Sequence, residues 1–269
     1  MSFISLSIWD VAAVSLFVLL NGALSVWLSL GIERQLLIAA ARMVAQLSAV
    51  GAVLTVLFGL GSPLWTLAMA LVMALFAGRE VMARQKRRFS GWRGFGLGAA
   101  TMTLAAATVT LVALLGSIGP EPWHAPRYAI PLFGMILGNA MTGISLGLDT
   151  LTSGAVSERA AIETRIALGA ERFDALRPVM RDAMRRGFTP MINAMAASGL
   201  VFLPGMMTGQ ILSGVEPAEA VRYQLLIMFL IAGASGLGLT LAVALGAWRL
   251  TDERGRLRTD RLAPAKDRA

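Results

Sequence analysis

The first residues that could do chemistry are an arginine and a glutamine inside an apolar segment. Arg42 and Gln46 lie four residues apart within 36–58, so a helix would place them on one face. An arginine at the centre of a bilayer costs about 2.5–3.5 kcal/mol. Arg42 is only about two turns into the segment, so its guanidinium can reach the interface. The pair is a candidate lining for a polar pathway, and mutual hydrogen bonding is the alternative.

A second polar group lies in the segment 129–149, which contains Asn139, Thr142 and Asp149. Glycines spaced by four residues accompany them, and this spacing allows a second helix to approach closely. Helix packing explains the glycines but not Asn139, whose amide needs partners within a membrane. Asp149 lies near the end of the segment, where capping or pairing with the next segment is the alternative to a pathway role.

The segment 190–212 combines polar groups with a helix breaker. Pro204 frees a backbone carbonyl, and broken helices in transporters present such carbonyls to cargo, although a structural kink is equally open. Methionine is a soft donor, yet most of the 15 methionines of so apolar a chain should serve packing. The pathway candidates here are Asn193, Pro204, Met206, Met207 and Gln210.

The sequence lacks the residue patterns that intramembrane proteases would need. The chain has no cysteine, and its one histidine, His124, lies in a loop rather than an apolar segment. A serine–histidine protease would need that histidine within a span, and the His-Glu-x-x-His motif of metalloproteases is missing from the sequence. We therefore predict no catalytic residue and no convincing metal site, with a metal contact of His124 and Glu121 as the alternative to an ordinary loop histidine.

An ATP-binding P-loop is also missing from the sequence. The motif Gly-x-x-x-x-Gly-Lys-[Ser/Thr] requires a lysine directly after glycine. The only lysines are Lys86 and Lys266, and they follow Gln85 and Ala265. We expect no cofactor on this chain, so any ATP-driven work, with its ATP and magnesium, would need a partner protein.

The elements that position these residues are apolar helices. Of the 269 residues, 56% are hydrophobic and 15% charged, against roughly 25% charged in soluble domains, and the mean hydropathy is +0.68. Long apolar blocks predict an all-α, polytopic membrane protein with one transmembrane domain over 1–249. The seven predicted spans are about 8–30, 36–58, 62–79, 95–118, 129–149, 190–212 and 223–248.

The basic residues predict the orientation. With the N-terminus outside and the C-terminus inside, 21 of the 24 Lys and Arg residues fall in inner segments, as the positive-inside rule requires. The net charge of +8 therefore reports topology and contact with the lipid bilayer, and no nucleic acid is needed to explain it. The polar tail 250–269 is predicted to be disordered.

The inner segment 150–189 contains the most specific pattern. Residues 157–168 favour a helix that Gly169 ends, and Pro178 suits the first turn of a further helix. One interpretation is an amphipathic helix lying on the anionic inner leaflet. Its apolar stripe would be Phe173, Leu176, Met180, Met184 and Phe188.

The alternative for this segment is a coupling helix. ABC importer permeases carry a cytoplasmic loop of the form Glu-Ala-Ala-x-x-x-Gly, followed by a proline about ten residues on. The segment resembles a degenerate form of that loop, in which a short helix docks on an ATPase and moves the attached spans. Glu163 and Gly169 match the loop, and Pro178 is near the expected proline. Thr164 and Arg165 replace the two alanines, while Ala167 and Ala170 flank the end of the pattern.

Three blocks extend the resemblance: MILGNAMTGISLGLDTL (135–151), GLVFLPGMMTGQILSG (199–214) and YQLLIMF (223–229). With ALGA (167–170) they resemble the FetB-type iron-export permease family, which includes plant relatives tied to aluminium tolerance. The resemblance implies a multi-pass permease of the bacterial inner membrane. It also implies a homodimer, a cytoplasmic ABC ATPase subunit and iron as exported cargo. The alternatives are an ABC permease for another metal or a nucleotide sugar, or a secondary transporter.

Overall fold

The computed structural model describes residues 7–252 and 255–264, and within these ranges the chain is helical without any strand. A π-helical turn, Ala113–Ile118, extends α4, and a short 3-10 turn, Thr259–Arg261, lies in the tail. The helices in chain order are α1 (Ile8–Trp27), α2 (Glu33–Leu60), α3 (Pro63–Arg84), α4 (Trp92–Val112), α5 (Pro126–Ser157), α6 (Arg159–Ala167), α7 (Arg172–Ala197), α8 (Gly205–Leu212) and α9 (Pro217–Arg249).

Six of the helices in the described ranges are long and apolar enough to cross a membrane: α1, α2, α3, α4 with its π turn, α5 and α9. The all-helical, multi-pass class predicted from the sequence is confirmed, but the count of seven spans is not. The predicted span 190–212 is interrupted, because α7 ends at Ala197 and α8 begins only at Gly205. Gly199 lies in the break with a φ of +95°, a conformation that favours glycine and ends the helix.

Helix α5 is the centre of the bundle and packs against α3, α4, α7 and α9. Two glycines bring α5 and α7 into backbone contact. A Cβ atom added at Gly143 would lie 2.7 Å from the carbonyl oxygen of Gly187. One added at Gly187 would lie 2.6 Å from the Leu239 side chain of α9. The small-residue spacing of α5 thus serves close packing, as the sequence predicted.

The α1–α2 hairpin is peripheral. Its two helices pack on each other, and α2 makes few contacts with α3 and α5. Their outward side chains are mostly large and apolar, as on helices that face lipid. The Arg42 guanidinium lies 3.7 Å from the Glu80 carboxylate of α3, so this ion pair is one of the links between the hairpin and the bundle.

The predicted inner segments meet at one end of the bundle, which we call the basic end. There the Asp149 carboxylate of α5 accepts a hydrogen bond from the Lys86 backbone N–H at 2.6 Å. The Thr152 hydroxyl donates to the Arg87 carbonyl at 2.7 Å. Asp149 therefore fixes the loop between α3 and α4.

The described part of the C-terminal tail also lies at the basic end and packs against the bundle. Residues 255–264 return towards the α3–α4 loop, where Ala263 N–H donates to the Arg88 carbonyl at 2.8 Å. Leu257 and Leu262 are buried, and this apolar contact holds a segment that is polar by average composition. The Arg261 guanidinium donates to the Arg249 carbonyl at 2.7 Å and so caps α9.

An exposed ion pair shapes the same tail. Arg258 donates two hydrogen bonds of 2.8 Å to the carboxylate of Asp260, and these lower the pKa of Asp260 to about 2. Because this pKa is depressed, any stabilisation from the pair is complete above the ordinary Asp value and lost only as the pH falls through about 2. The pair stays ionised throughout the physiological range.

Replacing Leu262 by aspartate is expected to release the tail, because a carboxylate cannot occupy the buried site beside Phe89 without losing its hydration. Trypsin cleavage after Arg256, Arg258 and Arg261 should then become about tenfold faster, since cleavage requires local opening. Pro264→Asp, at an exposed position two residues on, is the matched control. Equal cleavage rates for the two variants would contradict the docked tail.

Candidate functional site

A cavity of about 320 Å³, the central chamber, lies between α5, α7, α8 and α9. Helices α5 and α9 supply its long walls, and the break between α7 and α8 supplies the third side. Its lining carries no charged side chain. The lining residues are Met135, Asn139, Thr142, Gly143, Gly187, Pro190, Met191, Ala194, Phe202, Pro204, Gly205, Met206, Gln224, Ile227, Met228, Ile231 and Ser235.

Two polar side chains of α9 line the chamber without any hydrogen-bond partner among the described residues. Gln224 is 9% exposed and Ser235 is 5% exposed. The Gln224 Oε1 and Ser235 Oγ atoms are both buried and unpaired. A buried polar atom left without a partner costs about 1–3 kcal/mol. Their eleven-residue spacing puts them on one helix face about 16 Å apart, so the polar lining runs along the chamber.

A second cavity, the vestibule, adjoins the chamber on the side away from the basic end and has a volume of about 560 Å³. Met135, Met206 and Ile227 line both cavities and form their junction. The Gln210 Oε1 atom lines the vestibule and is a third buried oxygen without a partner among the described residues. The charged residues of the vestibule are Arg127, Glu216 and Glu219. Chamber and vestibule together form a polar route that leads away from the basic end.

The chamber is closed towards the basic end by the contact of α5 with α7. Gly143 and Gly187 both line the chamber and both take part in that backbone contact. One turn further on, Gly147 packs against Leu239, which is almost fully buried. The floor of the chamber is therefore formed by backbone and by one leucine.

The structure brings four of the predicted pathway residues together in the chamber: Asn139, Thr142, Pro204 and Met206. The Asn139 amide donates to the Met135 carbonyl at 2.8 Å, which satisfies part of its hydrogen-bonding capacity. Gln210 lies in the vestibule. The remaining predicted pathway residues, which do not line the chamber, are Arg42, Gln46, Asp149, Asn193 and Met207.

Sequence reasoning missed Gln224 and Ser235, although a usable signal was present. Both are polar residues inside the last apolar segment, and polar groups in spans are candidates by the same rule that selected Asn139. His124 lies in the loop at the end opposite the basic end. Its backbone carbonyl accepts from the Thr66 hydroxyl at 3.4 Å, and its ring meets Trp123 edge to face.

Helix α6, the predicted coupling helix, lies at the basic end and is held by one face. Ile162 is fully buried, and the Arg165 guanidinium donates to the Ala175 carbonyl of α7 at 3.2 Å. On the outer face Glu163 forms a 2.7 Å ion pair with Arg159, and Leu168 is 83% exposed. The short helix therefore presents a free surface with an apolar residue at its end.

The end of α6 agrees with the sequence pattern. Leu168 is the C-cap residue of α6. Gly169 follows it with a φ of +93°, the left-handed conformation that ends a helix. Ala170, partly buried, packs against the core. The predicted boundary at Gly169 is confirmed.

The predicted start of the next helix at Pro178 is wrong. Helix α7 begins at Arg172, and Pro178 lies inside it, so the helix continues past the missing N–H. The buried face of α7 explains this continuity, because its contacts with α5 and α9 outweigh one lost hydrogen bond. That face consists of Ala175, Leu176, Val179, Ala183 and Gly187.

The buried face of α7 also differs from the predicted apolar stripe, of which Leu176 alone is fully buried. Phe173, Met180 and Met184 instead line a surface groove with Arg177, Arg181 and Arg185. Helix α7 therefore packs within the bundle through one face, and its other face is partly apolar and cationic. This packing differs from the interpretation of an amphipathic helix that only lies on the membrane surface.

A further cavity of about 600 Å³ separates α6 from the tail at the basic end. Glu163 and Ala167 line it from α6, and Arg256 and Leu257 line it from the tail. The predicted coupling residues thus border a surface that the C-terminal tail shares.

Metal-binding side chains do not cluster in the described ranges: no group of three His, Cys, Asp or Glu residues could hold a metal ion there. Any cation in the chamber would have to use the neutral oxygen and thioether groups that line it.

A helical, multi-pass bundle with an uncharged chamber, a polar vestibule and a short exposed helix between two chamber walls defines a membrane protein of the permease class. The comparisons agree with this class. The chain belongs to the Uncharacterised protein family UPF0014, which it matches over residues 8–250.

Relatives come from bacteria and plants. The UPF0014 membrane protein slr1647 of Synechocystis is 39% identical over 231 residues, covering 84% of this chain and 86% of the relative. The UPF0014 membrane protein STAR2 of rice is 36% identical, covering 86% and 81%. The Probable iron export permease protein FetB of Escherichia coli is 31% identical, covering 79% and 80%. No solved structure matches the chain.

Proposed function

We propose that this chain is the membrane-spanning permease subunit of an ATP-driven ABC exporter, with ATP hydrolysis on a separate cytoplasmic subunit. One observation carries the proposal: α6 is exposed at the basic end and directly joins α5 to α7, and both of those helices line the chamber. A partner that moves α6 would therefore move two chamber walls. Because this sequence contains no P-loop, we assign ATP hydrolysis to another protein.

The charge distribution supports a proposed orientation of the chain in the membrane. If the basic end faces the cytoplasm, as the positive-inside rule favours, then α6 meets a cytoplasmic ATPase and the vestibule opens to the outside. The chamber then communicates with the side to which an exporter releases its cargo. A bacterial inner membrane and a homodimer paired with two ATPase subunits complete the proposed assembly.

A metal cation is the proposed cargo class, and iron is its first member. Support for iron comes from the name of one relative, the Probable iron export permease protein FetB. The chamber is compatible with a transported cation in one respect: it has neutral donors that bind weakly enough for release.

The test uses inside-out vesicles that contain this chain and its ATPase partner. ATP-dependent uptake of iron is expected, with manganese and a nucleotide sugar as comparison substrates. Iron uptake no greater than in a control without ATP would remove the iron assignment. Uptake by vesicles that contain this chain alone would indicate a secondary transporter and contradict the ABC mechanism.

A further inference from the structure

Methionine is enriched around the central chamber. Four of its 17 lining residues are methionine, namely Met135, Met191, Met206 and Met228, against 15 among all 269 residues. They come from α5, α7, α8 and α9, so every helix that bounds the chamber contributes one. A thioether is a neutral, polarisable donor that selects soft metal ions.

The methionines line the same chamber as a buried oxygen without a hydrogen-bond partner among the described residues. Met135 and Met206 line both cavities together with Ile227. Gln224 and Met228 lie on either side of Ile227 in α9, four residues apart and therefore neighbours on one face. The chamber thus receives a thioether from each of the four helices that bound it, and the buried amide oxygen of Gln224, which has no partner among the described residues.

Because the chamber lining has no charged side chain, its neutral donors determine which ions it can hold. A hard divalent ion keeps a tightly bound water shell, and a neutral lining compensates its removal poorly. A soft monovalent ion sheds water more easily and gains most from sulfur. The chamber lining contains sulfur and amide donors without a carboxylate or imidazole.

We propose that the chamber binds a soft monovalent cation of the copper(I) class through the thioethers of Met135, Met206 and Met228 and the Gln224 amide oxygen. Binding by this site does not depend on an ATPase. Only its use as a transport step rests on the proposed function, where a soft monovalent cation would take the place of iron as the cargo.

Purified permease, without an ATPase, is titrated with silver(I) in chloride-free buffer, because silver(I) resembles copper(I) and does not change oxidation state. We expect one saturable site per chain. Leucine conserves most of the volume of methionine, so Met135→Leu with Met206→Leu should keep the fold and weaken silver binding at least tenfold. Gln224→Leu should weaken it several-fold.

Met43→Leu is the matched control, because Met43 is an exposed methionine of α2 outside the chamber. Thermal unfolding without metal verifies that each variant is folded. Silver binding that is unchanged in the double variant, or undetectable in the native chain, would overturn the proposal and leave the methionines as packing residues. Tighter binding of iron(II) or manganese(II) than of silver(I), under anaerobic conditions, would overturn it too.

The two proposals fail separately. Silver binding in the chamber without ATP-driven transport of any cation would contradict the ABC mechanism alone. ATP-driven iron transport by a chain that binds no silver would contradict the soft-cation site alone.

Discussion

Replacing Gly187 by valine is expected to destabilise the purified protein by about 3 kcal/mol, the upper part of the range for overpacked cores. A Cβ atom at this position would lie 2.6 Å from the Leu239 side chain and 2.9 Å from the Gly143 carbonyl oxygen. A backbone carbonyl inside a packed helix cannot move aside, so α7 must separate from α5. The measurement is thermal unfolding in detergent, where a loss of this size lowers Tm by roughly 6–12 °C.

Gly138→Val is the matched control for that change. Gly138 lies in α5 five residues before Gly143, and an added Cβ atom there would meet nothing within 4 Å. Because valine is a better helix former than glycine, this variant should keep or slightly raise Tm. A Gly187→Val protein as stable as Gly138→Val would mean that α5 and α7 do not touch at these glycines.

Replacing Leu168 by aspartate is expected to abolish ATP-driven transport while leaving the fold intact. Leu168 is 83% exposed at the end of α6, so the change removes no internal contact. Burial of a leucine side chain against a partner contributes about 1.5–3 kcal/mol, and an aspartate in its place would put an unpaired charge into the contact. Copurification of the ATPase subunit should fall at least tenfold, with thermal unfolding of the permease unchanged.

Leu30→Asp controls for a new charge at the same end of the molecule. Leu30 is an exposed leucine in the turn between α1 and α2, in the peripheral hairpin. Wild-type transport is expected from it. Copurification and coupling that survive in Leu168→Asp would place the ATPase contact elsewhere and would remove the main support for the coupling role of α6.

Changes at the predicted coupling residues give a graded series. Glu163→Gln removes only the exposed ion pair with Arg159, so its effect on stability should be small. Gly169→Ala strains the left-handed residue that ends α6. Both should uncouple ATP hydrolysis from transport less completely than Leu168→Asp, because neither removes the apolar contact itself.

The sequence predicted those parts of the fold that local patterns determine. The lengths of the apolar segments identified most of the spans. Gly169 marked the end of α6 because a glycine readily adopts the left-handed conformation that follows the last turn of a helix. The break between α7 and α8 was predicted only in part. Pro204 indicated a kink, but the interruption already begins at Ser198. Leu200 and Val201 lie exposed within it, and their apolar side chains are typical of an uninterrupted span.

Tertiary contacts explain what the sequence did not predict. Asp149 is a polar residue of an apolar segment, as a pathway residue would be. Its carboxylate, however, accepts a hydrogen bond from the backbone N–H of Lys86, which is 63 residues away in the sequence. The tail is polar on average, and two leucines suffice to dock it. Gln224 and Ser235 acquire significance only because α9 turns both towards one cavity without giving either a partner in the described part of the chain.

The docked tail has a practical consequence for handling the protein. Leu262 is buried beside the α3–α4 loop, and Leu257 of the same segment borders the cavity next to α6. Shortening or exchanging residues 255–264 would therefore change the surface beside α6 and remove the cap of α9. Variants made for binding or transport assays should keep this segment intact.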